Sequence, residues 1–360
     1  MLRAIFTSPI NLLMIAAPVS WAIAAWSAES PWVFITAAVS LIPLAGLIGL
    51  GTEELARRSG PAWGGFLNAT FGNAAELIIA VVALRRGHVE LVKASITGSI
   101  IGNLLLVLGL SFFVGGLGRR TQKFHRTAAN NTSAMLFLGV VALVMPAVFD
   151  LSLYGSLAAR PPAIEHLSFW SAIVLIVAYG GSLIYAFTAH RDLFRSAQHE
   201  HDKSPFTTTG AVVVLAVGTL LTTVQAELLV ATMGRALVLF GFTELFVGVI
   251  VIAIIGNAAE HYSAVTAARR DDMTLAVEIS VGSSAQIALL VAPALVLYSF
   301  ALGRPMTLLF NAFEIAAIAL SVLATHIVVS DGESNWVEGL QLLSVYLILA
   351  LAFYFVPAVG

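Results

Sequence analysis

The chain has 360 residues, 59% of them apolar and only 11% charged, with a mean hydropathy of +0.94. So little polar material cannot cover a soluble protein of this length, and the absence of cysteine excludes disulfides and thiolate metal sites. With 18 Lys and Arg against 20 Asp and Glu, the net charge of −2 matters less than the sign of individual loops, and no nucleic-acid partner is expected.

Apolar runs of about 20 residues, the length that crosses a hydrocarbon core of roughly 30 Å, recur along the whole chain. They predict an all-α integral membrane protein with about eleven spans, near 9–27, 32–53, 63–85, 92–116, 130–149, 167–189, 207–233, 242–268, 273–302, 306–329 and 336–357. Turn and charge signals separate them, among them Arg57-Arg58-Ser59-Gly60-Pro61, Arg85-Arg86-Gly87, Gly118-Arg119-Arg120, Arg160-Pro161-Pro162 and Arg269-Arg270-Asp271-Asp272. The first run has a single Arg before it and no small-residue cleavage site leading to a soluble part, so it reads as a span and not as a secretory leader. No soluble domain is left once the spans are removed.

With a cytoplasmic N-terminus, twelve of the 18 basic residues fall on cytoplasmic loops, which predicts a multi-pass protein of the plasma (inner) membrane with that orientation. Arg85, Arg86 and Lys93 stand against it.

An internal repeat organises the chain. Gly72-Asn73-Ala74-Ala75-Glu76 recurs as Gly256-Asn257-Ala258-Ala259-Glu260, 184 residues later, and the same offset carries Gly98-Ser99 onto Gly282-Ser283 in the following span. The expected division is an extra helix over 1–30, a first five-helix repeat over 31–189, a cytoplasmic linker over 190–206 and a second five-helix repeat over 207–360. Five is odd, so the second unit enters the membrane from the opposite face and the repeats are inverted. That plan belongs to secondary transporters, with the substrate site where the repeats meet at mid-membrane.

Glu76 and Glu260 both fall well inside spans, where an ionised carboxylate costs a few kcal/mol or more on insertion scales unless a cation, proton or water compensates it. Two such acids related by the repeat axis converge on one point and suit a hard divalent ion that takes oxygen ligands. The Gly-Asn-Ala-Ala runs let each helix break, freeing carbonyls at Gly72 and Gly256 to join the amides of Asn73 and Asn257 as ligands. Ser99, in the same span as Asn103, and Ser283 and Gln286, beside Ser284, add polar oxygens on otherwise apolar helices; interhelical hydrogen bonding is their plainer role.

Glu53 and Glu227, in equivalent spans of the two repeats, are candidates for a proton path or a gate, with Glu227 read as deep in its span and Glu54 as a solvated helix end. His261 beside Glu260 either tunes that acid or fills space. The tract His190–Ser204 is a polar connector or, on a second reading, a metal-sensing loop.

These residues resemble the cation/proton exchanger (CAX) family of the Ca²⁺/cation antiporters. The likeness rests on Asn68–Leu77, on Gly256–His261, on Thr97-Gly98-Ser99-Ile100-Ile101-Gly102-Asn103 and on Asp331-Gly332-Glu333-Ser334-Asn335-Trp336, and it covers nearly the whole chain. It implies Ca²⁺/H⁺ antiport with Glu76 and Glu260 as central ligands, Ca²⁺ as transported substrate, H⁺ as coupling ion, no cofactor and no enzymatic activity. Beyond these ions the expected surroundings are the lipid bilayer, and a homo-oligomer is compatible with them. A Na⁺/Ca²⁺ exchanger of the same architecture is the alternative, although the Asn-Ala-Ala before each acid departs from the Ser, Thr and Pro usual in those relatives. No nucleophile–base pair within the spans points to a membrane-embedded enzyme.

Overall fold

The computed structural model describes residues 9–155, 162–189 and 207–357. The tract His190–Ser204 and the turn at Arg160-Pro161 lie outside the described residues. The described chain is helical apart from one two-residue antiparallel ladder: β1 (Gln122–Lys123) pairs with β2 (Glu333–Ser334), Gln122 opposite Ser334 and Lys123 opposite Glu333.

Among the described residues, eight helices are long and apolar enough to cross a membrane. They are α2 (Pro31–Arg58), α5 (Val89–Gly116), α6 (Arg126–Tyr154), α7 (Pro162–Ala189), α8 (Thr208–Phe240), α11 (Met273–Ala301), α12 (Ala312–Val329) and α13 (Trp336–Phe355). A ninth crossing is a broken one, α9 (Glu244–Gly256) and α10 (Ala258–Arg269), bent by 58°. The remaining helices are the shorter apolar α1 (Ile10–Trp26) and the pair α3 (Gly60–Phe71) and α4 (Ala74–Arg85). The spans expected over 63–85 and 242–268 break at each motif, as the Gly-Asn-Ala-Ala runs predict, at Gly72-Asn73 and at Asn257.

Apolar composition does not distinguish a buried span from a lipid-facing one; packing does. α5 and α11 are buried over most of their length and form the centre, while α7, α8 and α13 turn apolar side chains such as Val177, Leu220, Val238 and Ile348 outward. With lipid as apolar as the helix faces, close backbone approach has to supply the cohesion. Gly98 of α5 lies against the backbone of α9 at Val249, where any Cβ would strike the Val249 carbonyl.

α2 and α8 run antiparallel in close contact, with a Cβ at Gly51 only 2.9 Å from Leu215 and one at Gly218 3.2 Å from Ile48. α1 packs on α2 and is tied to α8 by Ser20 Oγ, which donates to Gln225 Oε1 at 2.8 Å. Asn311 with Glu314 and Asn335 with Glu338 form capping boxes that start α12 and α13.

Single π-helical segments interrupt α5 (Gly102–Val107), α9 (Val247–Ile252) and α11 (Ile287–Val291). Such widened turns recur at functional sites; the one in α5 contains Asn103 and the one in α11 directly follows Gln286, both in the cluster described next.

Candidate ion-binding site

Both motifs stand where a helix stops and restarts. Asn73 (φ −100°, ψ 25°) and Asn257 (φ −90°, ψ 8°) leave helical geometry for the bridge region and precede the first residues of α4 and α10. An Asn in that position ordinarily uses its side-chain oxygen to cap the helix it starts. Neither does so here.

Their amides cross to the other half of the chain instead. Asn73 Nδ2 donates to Gln286 Oε1 at 2.7 Å, and its Oδ1 accepts from Ser283 Oγ at 3.1 Å. Reciprocally, Asn257 Nδ2 donates to Ser99 Oγ at 2.9 Å and its Oδ1 accepts from Asn103 Nδ2 at 3.1 Å. Asn103 Nδ2 also lies 3.1 Å from Ser283 Oγ and 3.3 Å from Glu260 Oε2, which joins the two sets into one polar cluster inside an apolar bundle.

The two acids occupy the first turns of α4 and α10, where free backbone N–H groups favour negative charge. Glu76 is 7% exposed and its Oε2 has no hydrogen-bond partner. It faces the second break: a Cβ on Gly256 would sit 3.1 Å from Glu76 Cγ and 3.4 Å from its Oε1. Only the missing side chain of Gly256 makes room for that carboxylate. Glu260 is half-buried and held by Asn103. Gly72 is exposed at the first break, where a Cβ would lie 4.0 Å from Gln286 Oε1. Among the described residues no three His, Cys, Asp or Glu side chains cluster, so the oxygens gathered here are two carboxylates with amides, hydroxyls and main-chain carbonyls.

The structure thus brings Glu76, Glu260, Asn73, Asn257, Gly256, Ser99, Ser283 and Gln286 together, and adds Asn103, four residues after Ser99, which belongs in the same set. His261 follows Glu260 without bonding to it, and its Nε2 is buried without a partner.

Two readings of the outlying acids need correction. Glu227 is not deep: its side chain is 39% exposed and ion-paired to Arg86 at 2.7 Å, because it lies on the face of α8 that meets the end of α4. Glu54, expected to be solvated, is 2% exposed, since α2 turns that face into the protein. Glu53 takes the exposed position, 3.6 Å from Arg57. Neither Glu53 nor Glu227 hydrogen-bonds to the central cluster.

The chain matches the model of the sodium/calcium exchanger protein family over residues 29–188 and 210–355. A Ca²⁺/H⁺ antiporter of Synechocystis is 42% identical over 96% of this chain and 97% of its own length. The Ca²⁺/H⁺ antiporter ChaA of Bacillus subtilis is also 42% identical, over 89% of this chain and 91% of its own. Among solved structures, native YfkE superposes with a TM-score of 0.83 at 38% identity, covering 96% of this chain and all of that one. The chain belongs to the sodium/calcium exchanger protein family and, within it, to the cation/proton exchangers.

Proposed function

We propose that this protein is a secondary antiporter that exchanges Ca²⁺ for H⁺ at a site centred on Glu76 and Glu260. The observation that carries the reading is the pairing of one acid from each half of the chain within a single polar cluster. Asn73, Asn257, Asn103, Ser99, Ser283 and Gln286 furnish neutral oxygens around the acids, with the carbonyls freed near Gly72 and Gly256. A hard, loosely coordinated cation such as Ca²⁺ takes six to eight such ligands, roughly, at flexible angles.

Two carboxylates facing each other in a poorly hydrated space repel. Ca²⁺ relieves the repulsion by binding both, and protons relieve it by neutralising each. The empty, doubly charged site is the unfavourable species, so the site crosses between the two faces loaded with one ion or the other, which is what couples the two flows.

The reciprocal bonds, Asn73 to Ser283 and Gln286 and Asn257 to Ser99 and Asn103, support two inverted repeats related by an axis through the cluster. Counting α3/α4 and α9/α10 as one broken span each, with α1 included, gives eleven spans. In this reading α2 and α8 move as a unit against the helices bearing the acids.

A cytoplasmic N-terminus in a plasma membrane agrees with the basic loops. Two of the three dissenting cations are occupied internally, Arg86 by Glu227 and Lys93 by the Leu309 carbonyl at 3.0 Å, and so weigh little in the charge asymmetry.

The test is ⁴⁵Ca²⁺ uptake into proteoliposomes under an imposed pH gradient. Uptake is expected to need the gradient and to fall to background in Glu76→Gln and in Glu260→Gln. Uptake driven by a Na⁺ gradient at fixed pH would assign the protein to Na⁺/Ca²⁺ exchange instead, and full activity in either variant would remove the acid from the site.

A further inference from the structure

The offset that superposes the two motifs also carries Arg85-Arg86 onto Arg269-Arg270, yet the two arginine pairs keep different company. Arg86, just beyond α4, binds one oxygen of Glu227 on α8 with two nitrogens, Nη2 at 2.7 Å and Nε at 2.9 Å. Since α8 is locked to α2 by their close antiparallel crossing, this contact fastens the α2/α8 unit to a helix that carries an acid of the site.

The repeat supplies no equivalent pair at the other end of the molecule. The same offset takes Glu227 onto Pro43, an uncharged position inside α2. Among the described residues Arg270 makes no ion pair, and the exposed acid of α2, Glu53, is engaged by Arg57 of its own helix. The two ends are well separated. Arg86 lies just before α5 and Arg119, whose Nη2 donates to the Arg269 carbonyl, just after it, and the 28 residues of α5 span about 42 Å.

We propose that Arg86–Glu227 is a one-sided latch, which holds the α2/α8 unit against the site helices at the Arg86 end and which the repeat-related positions, Arg270 and Pro43, cannot form. The inference rests on reading α2 and α8 as the moving unit of an alternating-access transporter. In an otherwise two-fold molecule, the pair biases the resting population toward the state sealed at the Arg86 end. Both side chains are about two-fifths exposed, so the bias is modest, about fivefold in population for an ion pair in that setting.

The chain has no native cysteine, so labels can be placed at will. Spin labels at Val238→Cys on the end of α8 and Leu302→Cys after α11 report the distance across the Arg86 end, since Gly87 borders Arg304 and His88 pairs with Glu244 there. Pulsed electron-spin measurements in lipid discs are expected to give one dominant short distance in the labelled parent. Glu227→Gln and Arg86→Gln should each raise a longer-distance population about fivefold, and the swap Arg86→Glu with Glu227→Arg should return it to the parent value. Removing the Arg235–Glu29 ion pair with Glu29→Gln should leave the distances unchanged, because that pair lies at the same end but within the moving unit.

Parent-like distances in both single variants would overturn the latch, as would a Glu29→Gln shift of equal size or a swap that fails to restore the parent distribution. The distances do not depend on which ion is carried. A working latch in a protein that moves no Ca²⁺ would therefore count against the proposed function alone.

Discussion

The first and second motifs are the same five residues in different settings. Glu76 is enclosed, with one oxygen unpartnered and its stem against Gly256; Glu260 is half open and tethered by the Asn103 amide. The helix before Glu260 carries a π-helical segment at Val247–Ile252, while the matching stretch before Glu76 runs as ordinary helix. A duplicated sequence fixed in one arrangement cannot be two-fold in detail, since whatever opens toward one face must close toward the other. The chemistry is repeated and the surroundings are not, so equivalent substitutions in the two halves should have unequal effects.

The largest inequality is expected at the glycines. Gly256→Ala puts a methyl group 3.1 Å from Glu76 Cγ, and overpacking of that kind costs about 1–3 kcal/mol, so pH-driven Ca²⁺ uptake should fall roughly tenfold or more. Gly72→Ala touches neither acid but presses its methyl group on the Asn68 carbonyl oxygen, 2.6 Å away, so its cost should appear as a lower thermal midpoint, with a smaller loss of Ca²⁺ uptake per folded molecule than in Gly256→Ala. Equal losses would mean that the enclosure of Glu76 by Gly256 is unimportant.

A smaller inequality separates the amides. Asn103 serves Asn257, Ser283 and Glu260, whereas Gln286 serves Asn73 alone. Leaving buried partners unpaired costs about 1–3 kcal/mol, so Asn103→Ala should weaken Ca²⁺ binding, read by calorimetry on the purified protein, by roughly tenfold, and Gln286→Ala by about threefold.

The smallest effect lies outside the site. Ser20→Ala removes the bond between α1 and Gln225, and interhelical hydrogen bonds in membranes average about 0.6 kcal/mol. A drop of a few degrees or less in the thermal midpoint is expected, with the Ca²⁺ affinity unchanged; a large loss of affinity would show that α1 reaches into the site.

Much of the centre could be read from the chain itself, because carboxylates, amides and hydroxyls are conspicuous inside apolar spans and the repeat offset sorts them into two equal groups. Asn103 carried a usable signal as well, since it occupies nearly the position in α5 that Gln286 occupies in α11. The breaks at Asn73 and Asn257 follow from the Gly-Asn pair in each motif, two poor helix formers in succession. What could not be read depended on which way a helix face points. Glu53 and Glu54 are adjacent in sequence, and a rotation of about 100° per residue decides that the first meets solvent and the second the interior. Glu227 could not be paired with Arg86 from the sequence, because 141 residues separate them and only the packing of α8 on α4 brings them together. The ladder between β1 and β2 was equally hidden, two residues from each of two distant loops.

Every side chain-to-side chain hydrogen bond in the central cluster joins a residue before position 104 to one after position 256. Neither half holds the complete cluster, and the bonds that close it run across the interface between the halves. Two fragments produced as separate polypeptides in one cell would hold all the parts, provided that they insert with opposite polarity. By the same reasoning, an ancestor half this length could have worked only as a pair of identical subunits facing opposite ways.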